Sequence, residues 1–326
     1  METLITIAIP VYNVEQYLRR CLDSIINQDI ADCEILLVND GSTDNSLQIC
    51  KEYASKNDFI RLINQDNQGL ASVRNTCIRE ANGEYISFVD SDDFIIDGAY
   101  DNFKRLIEKF DADVIVYGCI NEYGNVNSDY SYKNSTEVIT EFTPQEAIDS
   151  IFIDPRIEVI TCNKVIRKKL FDGVNYPVGR LYEDMFTNYK VISKANVIVS
   201  TSNKYYVYCH RPDSIGGMKY SEKTMDLYRA ATEVHEFGLN FCDKIENLNV
   251  GYLHWMIVVV NAMIRTDIYD NQYICLVKKY ARTVRKEILG NKCVGKIRKI
   301  QMIIFSYSFK IYSVVYKLYI KKYRNY

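Results

Sequence analysis

Between Leu4 and Tyr117, short β-branched and aromatic runs alternate with segments of helical periodicity, and this alternation limits the fold more than any other feature of the chain. Extended runs stand at Leu4–Ile9, Glu34–Val38, Phe59–Asn64, Tyr85–Val89 and Asp113–Tyr117. After the first, Tyr17, Leu18, Cys21, Leu22, Ile25 and Ile26 recur at the spacing of one helix face, with Asn13 and Gln16 as a capping box. Asn39–Asp44 supplies turn residues and a Ser/Thr cap for a helix to about Ser55, and further helices are expected at Leu70–Asn82 and Asp97–Phe110. Strands separated by helices of this length form βαβ units, so the expected class is α/β with a mostly parallel central sheet flanked by helices.

Three carboxylates follow the fourth run, in Tyr85-Ile-Ser-Phe-Val-Asp90-Ser91-Asp92-Asp93. Like charges this close in partly dry surroundings repel by several kcal/mol, by order of magnitude. An oxygen-preferring divalent cation, Mg²⁺ or Mn²⁺, would relieve them; the simpler alternative is an Asp cap on the next helix. Pro10–Asn13, Asn39–Asp44 and Asp90–Asp93 all end strands. In a parallel sheet they share the carboxyl edge, where ligands bind.

Beyond Tyr117 the pattern loosens. Asn121–Thr140 reads as a polar loop or irregular hairpin, and Pro144–Phe152 as a helix. A helix at about Leu181–Ser193 opens on Glu183-Asp184, strands follow at Val197–Ser200 and Tyr205–His210, and everything from Glu222 onward reads as helical. The clearest boundary lies near Gly216-Gly217. This gives a domain at 1–216, with halves 1–117 and 118–216, and a helical region at 217–326.

The ten cysteines are scattered, with no Cys-x-x-Cys pair, and Met1-Glu2-Thr3 runs directly into a strand. Reduced thiols and a cytoplasmic location are expected. No apolar run reaches the about 18 residues that span a bilayer; Leu253–Ile264 reads as a buried helix. Gly290–Lys296 imitates a phosphate loop, but Ile297 stands where Ser or Thr is required and no strand precedes it.

From Asn291 to Tyr326 there are nine Lys or Arg and no Asp or Glu, in a chain of net charge −2. Drawn as one helix, 291–326 puts Lys292, Lys296, Lys299, Lys310, Lys317 and Lys321 on one face and Phe305, Tyr312, Tyr316 and Tyr319 opposite. Such a tail suits an anionic membrane surface, or else packs its aromatics on the body or a partner subunit, as in a homo-oligomer. The acidic remainder speaks against nucleic acid.

Four rim segments together resemble the family 2 glycosyltransferases. They are Ile9-Pro-Val-Tyr-Asn13, Val38-Asn-Asp40-Gly-Ser-Thr-Asp44, Asn67-Gln-Gly69-Leu-Ala-Ser-Val-Arg74-Asn75 and Phe88-Val-Asp90-Ser-Asp92-Asp93. They are matched in order and spacing over roughly the first 115 residues. Glu183-Asp184 and Tyr208-Cys-His210-Arg211-Pro-Asp-Ser214-Ile215 resemble later family segments more loosely.

The resemblance implies a GT-A fold and an inverting transfer from a UDP-sugar to a saccharide acceptor, lipid-linked at the cytoplasmic face in cell-surface polysaccharide synthesis. Pro10, Val11 and Tyr12 would pack around the base, and Asp40 would accept from uracil. Arg74, Asp90, Ser91 and Arg211 would hold the remaining nucleotide-sugar. Asp92, Asp93 and His210 would hold Mn²⁺ or Mg²⁺, and Asp184, with Glu183 as competitor, would be the general base. A catalytically silent scaffold and a nucleotidyltransferase-like enzyme are the alternatives.

Overall fold

The computed structural model describes residues 3–123, 136–210 and 220–323. It divides into two compact units, Met1–Pro144 with Ile160–Gly179 and Thr187–Pro212, and Gln145–Val159 with Arg180–Phe186 and Asp213–Tyr326. The expected boundary at Gly216-Gly217 lies outside the described residues.

The first unit is built on a sheet with nine strands among the described residues: β1 Ile5–Val11, β2 Cys33–Asp40, β3 Ile60–Gln65, β4 Tyr85–Phe88, β5 Phe94–Ile95, β6 Val114–Tyr123, β7 Ile139–Phe142, β8 Lys164–Arg167 and β9 Ile198–His210. The order is β3-β2-β1-β4-β8-β6-β9-β5, with β7 also on β9. β1, β2, β3 and β4 pair in parallel, and β8 runs antiparallel between β4 and β6, so β6 and β9 point the same way as β4. Six strands therefore share one carboxyl edge. The order turns back between β1 and β4, which opens a crevice at their ends.

Helices α1 Leu18–Ile26, α2 Ser46–Lys56, α3 Leu70–Glu80 and α4 Ala99–Phe110 fill the crossovers, close to the spans read from periodicity. The N-terminus of α1 differs. Tyr17 is its cap, without a side-chain bond, and Asn13 instead accepts from Thr43 N (2.8 Å) across to the loop after β2. No capping box forms there. β8 escapes periodicity because four residues, Lys-Val-Ile-Arg, are too few to show alternation. The two strands expected at Val197–Ser200 and Tyr205–His210 are one, since polar Thr201–Lys204 keeps pairing with β6 and β7.

At the sheet's other end Glu34, 6% exposed, binds the strands together. Its oxygens accept from Thr6 Oγ1 (2.7 Å), Asn82 N (2.6 Å), Asn82 Nδ2 (2.9 Å) and Arg61 Nη1 (3.0 Å). Burial pushes this carboxyl up, but the hydrogen bonds outweigh burial and its pKa is lowered from 4.5.

The second unit is helical. It contains α5 Pro144–Ser150, apart from Pro144 itself, the first turn of α6 Glu183–Ile192, and α7 Met225–Phe241, α8 Glu246–Thr266, α9 Asn271–Thr283, α10 Arg285–Gly290, α11 Lys296–Tyr307 and α12 Phe309–Tyr323. α8 extends the apolar run beyond Leu253–Ile264. Among the described residues it alone is long and apolar enough to cross a membrane, yet 67% of that window is buried inside the protein. A core helix meets the same description. The tail is two helices rather than one, broken at Ser308, whose backbone is extended (φ −149°, ψ 112°).

Because Glu34 is held ionised, its stabilising contribution is present above pH 4.5 and is lost as pH falls through the lowered folded-state value. Glu34→Gln is expected to cost about 1–3 kcal/mol in urea unfolding at pH 7, with the gap to wild type narrowing below about pH 4. A gap that stays constant with pH would contradict this account.

Candidate active site

The loops after β1, β2, β3 and β4 meet at the carboxyl edge of the first unit. Ser42 Oγ accepts from Asn13 N (3.1 Å) and Asp44 Oδ2 from Glu15 N (3.0 Å), tying the first two loops together. Of the three residues expected around a base, Pro10 is buried in β1 and Val11 belongs to the hydrophobic core. Tyr12, 48% exposed, is the side chain left to stack.

Asp40 ends β2 almost fully buried. Its Oδ1 accepts from Gln65 Nε2 (2.8 Å) and Gln68 N (3.0 Å), and its Oδ2 from Gly69 N (2.8 Å). Three donors fill three of a carboxylate's four lone-pair positions, so one acceptor position remains. The turn itself needs Gly41. Its φ is +67°, and an added Cβ would lie 2.9 Å from Asn67 N. Asp40 thus shapes the β3–α3 loop as well as facing the crevice.

Arg74 on α3 does not face solvent. It is buried, its Nη2 lies 3.3 Å from Asp90 Oδ1, and its guanidinium sits 5.5 Å from the centre of the Tyr176 ring. Asn75 fixes Tyr176 by donating from Nδ2 to its carbonyl (2.9 Å) and accepting its amide at Oδ1 (2.8 Å). A planar cation packed on an aromatic ring keeps its direction, which Lys would not.

The three acids have different surroundings. Asp93 is 1% exposed; its Oδ2 takes the Tyr206 hydroxyl (2.7 Å) and its Oδ1 the Cys209 amide (2.7 Å). Tyr206 also receives Asp90 N on its hydroxyl (3.1 Å), so one phenol joins β9 to both ends of the turn. Burial, then the charges of Asp90 and Asp92, push the Asp93 carboxyl up to about 8. Asp90 and Asp92 remain partly exposed. Arg20 Nη2 donates to the Asp92 carbonyl (2.6 Å), while its guanidinium lies 5.0 Å from the Phe94 ring centre. Ser91 is buried within the turn.

His210, expected as a metal ligand, ends β9 beside Asn121 and Tyr123 of β6. Its Nε2 lies 2.8 Å from Asn121 Oδ1, and its ring stacks on Tyr123 (centroids 4.1 Å apart, planes at 3°). Among the described residues no three His, Cys, Asp or Glu side chains converge as a ready metal cage. The chemistry of Asp90 and Asp92 nevertheless fits Mg²⁺ or Mn²⁺. Such ions are commonly held by one or two carboxylates, with ligand phosphates and water completing the shell. Two partly exposed carboxyl side chains two positions apart in one turn suit a cation between them.

Glu183 and Asp184 open α6 in the second unit, both half-buried. Asp184 Oδ1 accepts from Met185 N (2.7 Å). The approach to this turn is fixed by buried Asp226 of α7, which accepts from Arg180 Nη1 (2.9 Å) and Leu181 N (3.3 Å). Arg211 lies outside the described residues.

Sequence reasoning missed Tyr206, Cys209 and Arg20. Alternation marks Tyr205–His210 as a strand but cannot say which tyrosine meets an acid 113 residues earlier. Arg20 beside an apolar helix face carries no local signal at all.

The family model described as glycosyl transferase family 2 matches residues 6–174. Among curated proteins, glycosyltransferase GlyG of Streptococcus pneumoniae serotype 4 is 32% identical over 265 residues, covering 76% of this chain and 88% of that protein. Glycosyltransferase GlyA of the same organism is 34% identical over 232 residues, 69% of this chain; the match spans only 33% of GlyA's length. Among solved structures, S. aureus TarS 1–349 in complex with UDP-GlcNAc superposes with a TM-score of 0.65 at 20% identity, over 98% of this chain and 92% of that one. At that identity the likeness shows the fold, which is mixed α/β of the GT-A kind.

A double-mutant cycle between Tyr206→Phe and Asp93→Asn tests the buried link. We expect a coupling energy of about 1–2 kcal/mol in urea unfolding; additive effects would mean that the phenol and the carboxyl act independently.

Proposed function

Because the chain belongs to glycosyl transferase family 2, we propose that it moves a sugar from a UDP-sugar to a saccharide acceptor, with inversion, in cell-surface polysaccharide synthesis. The observation that carries this reading is the grouping of Asp40, Arg74, Asp90 and Asp92 around the β1–β4 crevice. TarS, crystallised with UDP-GlcNAc, supports a uridine donor on the same fold.

Tyr12 stacks on the uracil, and the remaining acceptor position of Asp40 takes the imide N–H. Uracil offers one donor between two carbonyls, so a carboxylate suits it and an amide would suit it less. Arg74, already directed by Tyr176, steadies the nucleotide beside Asp90. Asp92 and Asp90 would hold Mg²⁺ or Mn²⁺, which when bound supplies positive charge to the departing diphosphate. Asp93 plays a different part from the ligand role considered for it. Its two oxygens are engaged by β9, so it positions the turn.

Departure of the diphosphate leaves an electron-poor anomeric carbon, and the acceptor hydroxyl attacks from the opposite face. Asp184 takes that hydroxyl's proton, a contribution of roughly 10²–10⁴ in rate. Glu183 shares the first turn of α6 and orients it. One displacement inverts the anomeric centre. The acceptor proposed is a lipid-linked saccharide at the cytoplasmic face.

Calorimetry with UDP, with and without Mn²⁺, tests the donor site. Wild type should bind more tightly with Mn²⁺, and Asp92→Asn should lose at least tenfold of that gain; no UDP binding by either protein would overturn the uridine assignment. In turnover assays with the UDP-sugar that a hydrolysis screen of UDP-sugars selects, Asp184→Asn should lower kcat by about 10²-fold or more while donor KM stays within a few-fold. If Glu183→Gln shows the larger loss, the base is Glu183.

A further inference from the structure

Three of the tail's aromatics turn inward, while Tyr307 and Tyr319 stay exposed. Phe305, Tyr312 and Tyr316 are buried, with Tyr312 donating to Asn261 Oδ1 (2.8 Å) and Tyr316 accepting from Arg265 Nη1 (3.1 Å), both partners on α8. Burying that side of α12 turns a different one to solvent. Ile311, Val314 and Leu318 are 59%, 60% and 63% exposed, and Val315 lies beside them. At 100° per residue these four side chains occupy an arc of roughly 100°. Lys310, Lys317 and Lys321 border that arc on one side. α11 repeats the pattern, with Ile297, Ile300 and Tyr307 exposed along one face and Lys296 and Lys299 next to them.

Single exposed apolar residues need no explanation, but apolar stripes on two successive helices do. We propose that these faces of α11 and α12 seat the protein on an anionic lipid bilayer, the aliphatic side chains entering the headgroup–acyl boundary and the lysines meeting lipid phosphates. This surface belongs to helices of the second unit and differs from the Tyr-lined face that the sequence suggested.

Charge decides between a bilayer and a second copy of the chain. Residues 291–326 carry nine cations and no anion. Pairing two such surfaces would bring like charges together with no acid from either tail to offset them, whereas an anionic bilayer is complementary. Asp267 on the same unit pairs with Lys317 (2.6 Å), which leaves the rest of the basic border in excess. A narrow stripe bordered by lysines on a helix of 15 residues matches a helix lying in the interface rather than spanning it.

The test is vesicle co-sedimentation of the full chain. Vesicles of phosphatidylcholine with phosphatidylglycerol should bind it, and phosphatidylcholine alone should bind at least tenfold more weakly. Ile311→Ser with Leu318→Ser should weaken binding to the anionic vesicles at least tenfold. Lys310→Glu with Lys321→Glu should weaken it too, and raised salt should mimic that second pair. Both double variants should keep the wild-type circular dichroism, thermal midpoint and UDP response, since all four side chains are exposed. Absence of binding to anionic vesicles, or binding unaffected by the serine pair, overturns the proposal. So does a wild-type dimer in light scattering that the serine pair converts to monomer, because the face would then belong to a second copy.

Discussion

A buried carboxyl held between a phenol and a backbone amide determines what the acidic turn can present. Asp93 has no exposure to speak of, and its two oxygens are taken by Tyr206 and Cys209 of β9. Because Tyr206 also receives the Asp90 amide, the turn is held from both ends. Asp90 and Asp92 are thereby left partly exposed, while the third acid is drawn inward, its carboxyl pushed up to about 8 by burial and by its neighbours' charges. Three acids in four positions could have been three ligands. Instead they divide into one that positions and two that face the crevice.

The same division of labour recurs at Asp40. Its carboxylate organises Gln65, Gln68 and Gly69 into the loop that begins α3, and α3 brings Arg74 to Asp90. Arg74 in turn depends on Tyr176, which Asn75 holds by its backbone. The loop that opens α3 and the guanidinium of Arg74 are thus each directed by buried neighbours. Such support is what a site needs to hold its geometry before a ligand arrives. Glu34 supplies the matching constraint at the opposite end of the strands, where four hydrogen bonds tie β2 to β1, to β3 and to the turn that leads into β4.

The tail shows how far amphipathicity can mislead. Two faces were readable, one of lysines and one of aromatics, and either could have met a membrane. Burial of Phe305, Tyr312 and Tyr316 covers most of the aromatic face, Tyr319 staying exposed at its margin, and leaves a third, aliphatic face exposed. The break at Ser308 also puts α11 and α12 out of a single helical phase, so their faces do not continue one another.

What the sequence determined by itself is local or periodic. Alternating runs placed β1–β4 and α1–α4 within a few residues, and strand ends carried Asp40, Asp90 and Asp92 to one edge because parallel strands share a direction. The motifs around those ends were enough for the family. What only the tertiary structure decided depends on contacts far apart in the chain: the pairing of Asp93 with Tyr206, the burial of Arg74 against Tyr176, the place of Val11 in the core, and the partner of His210. β8 was invisible because four residues are too few for a period. The exposed face of α12 was invisible because periodicity defines a helix's sides without saying which of them the rest of the protein will cover.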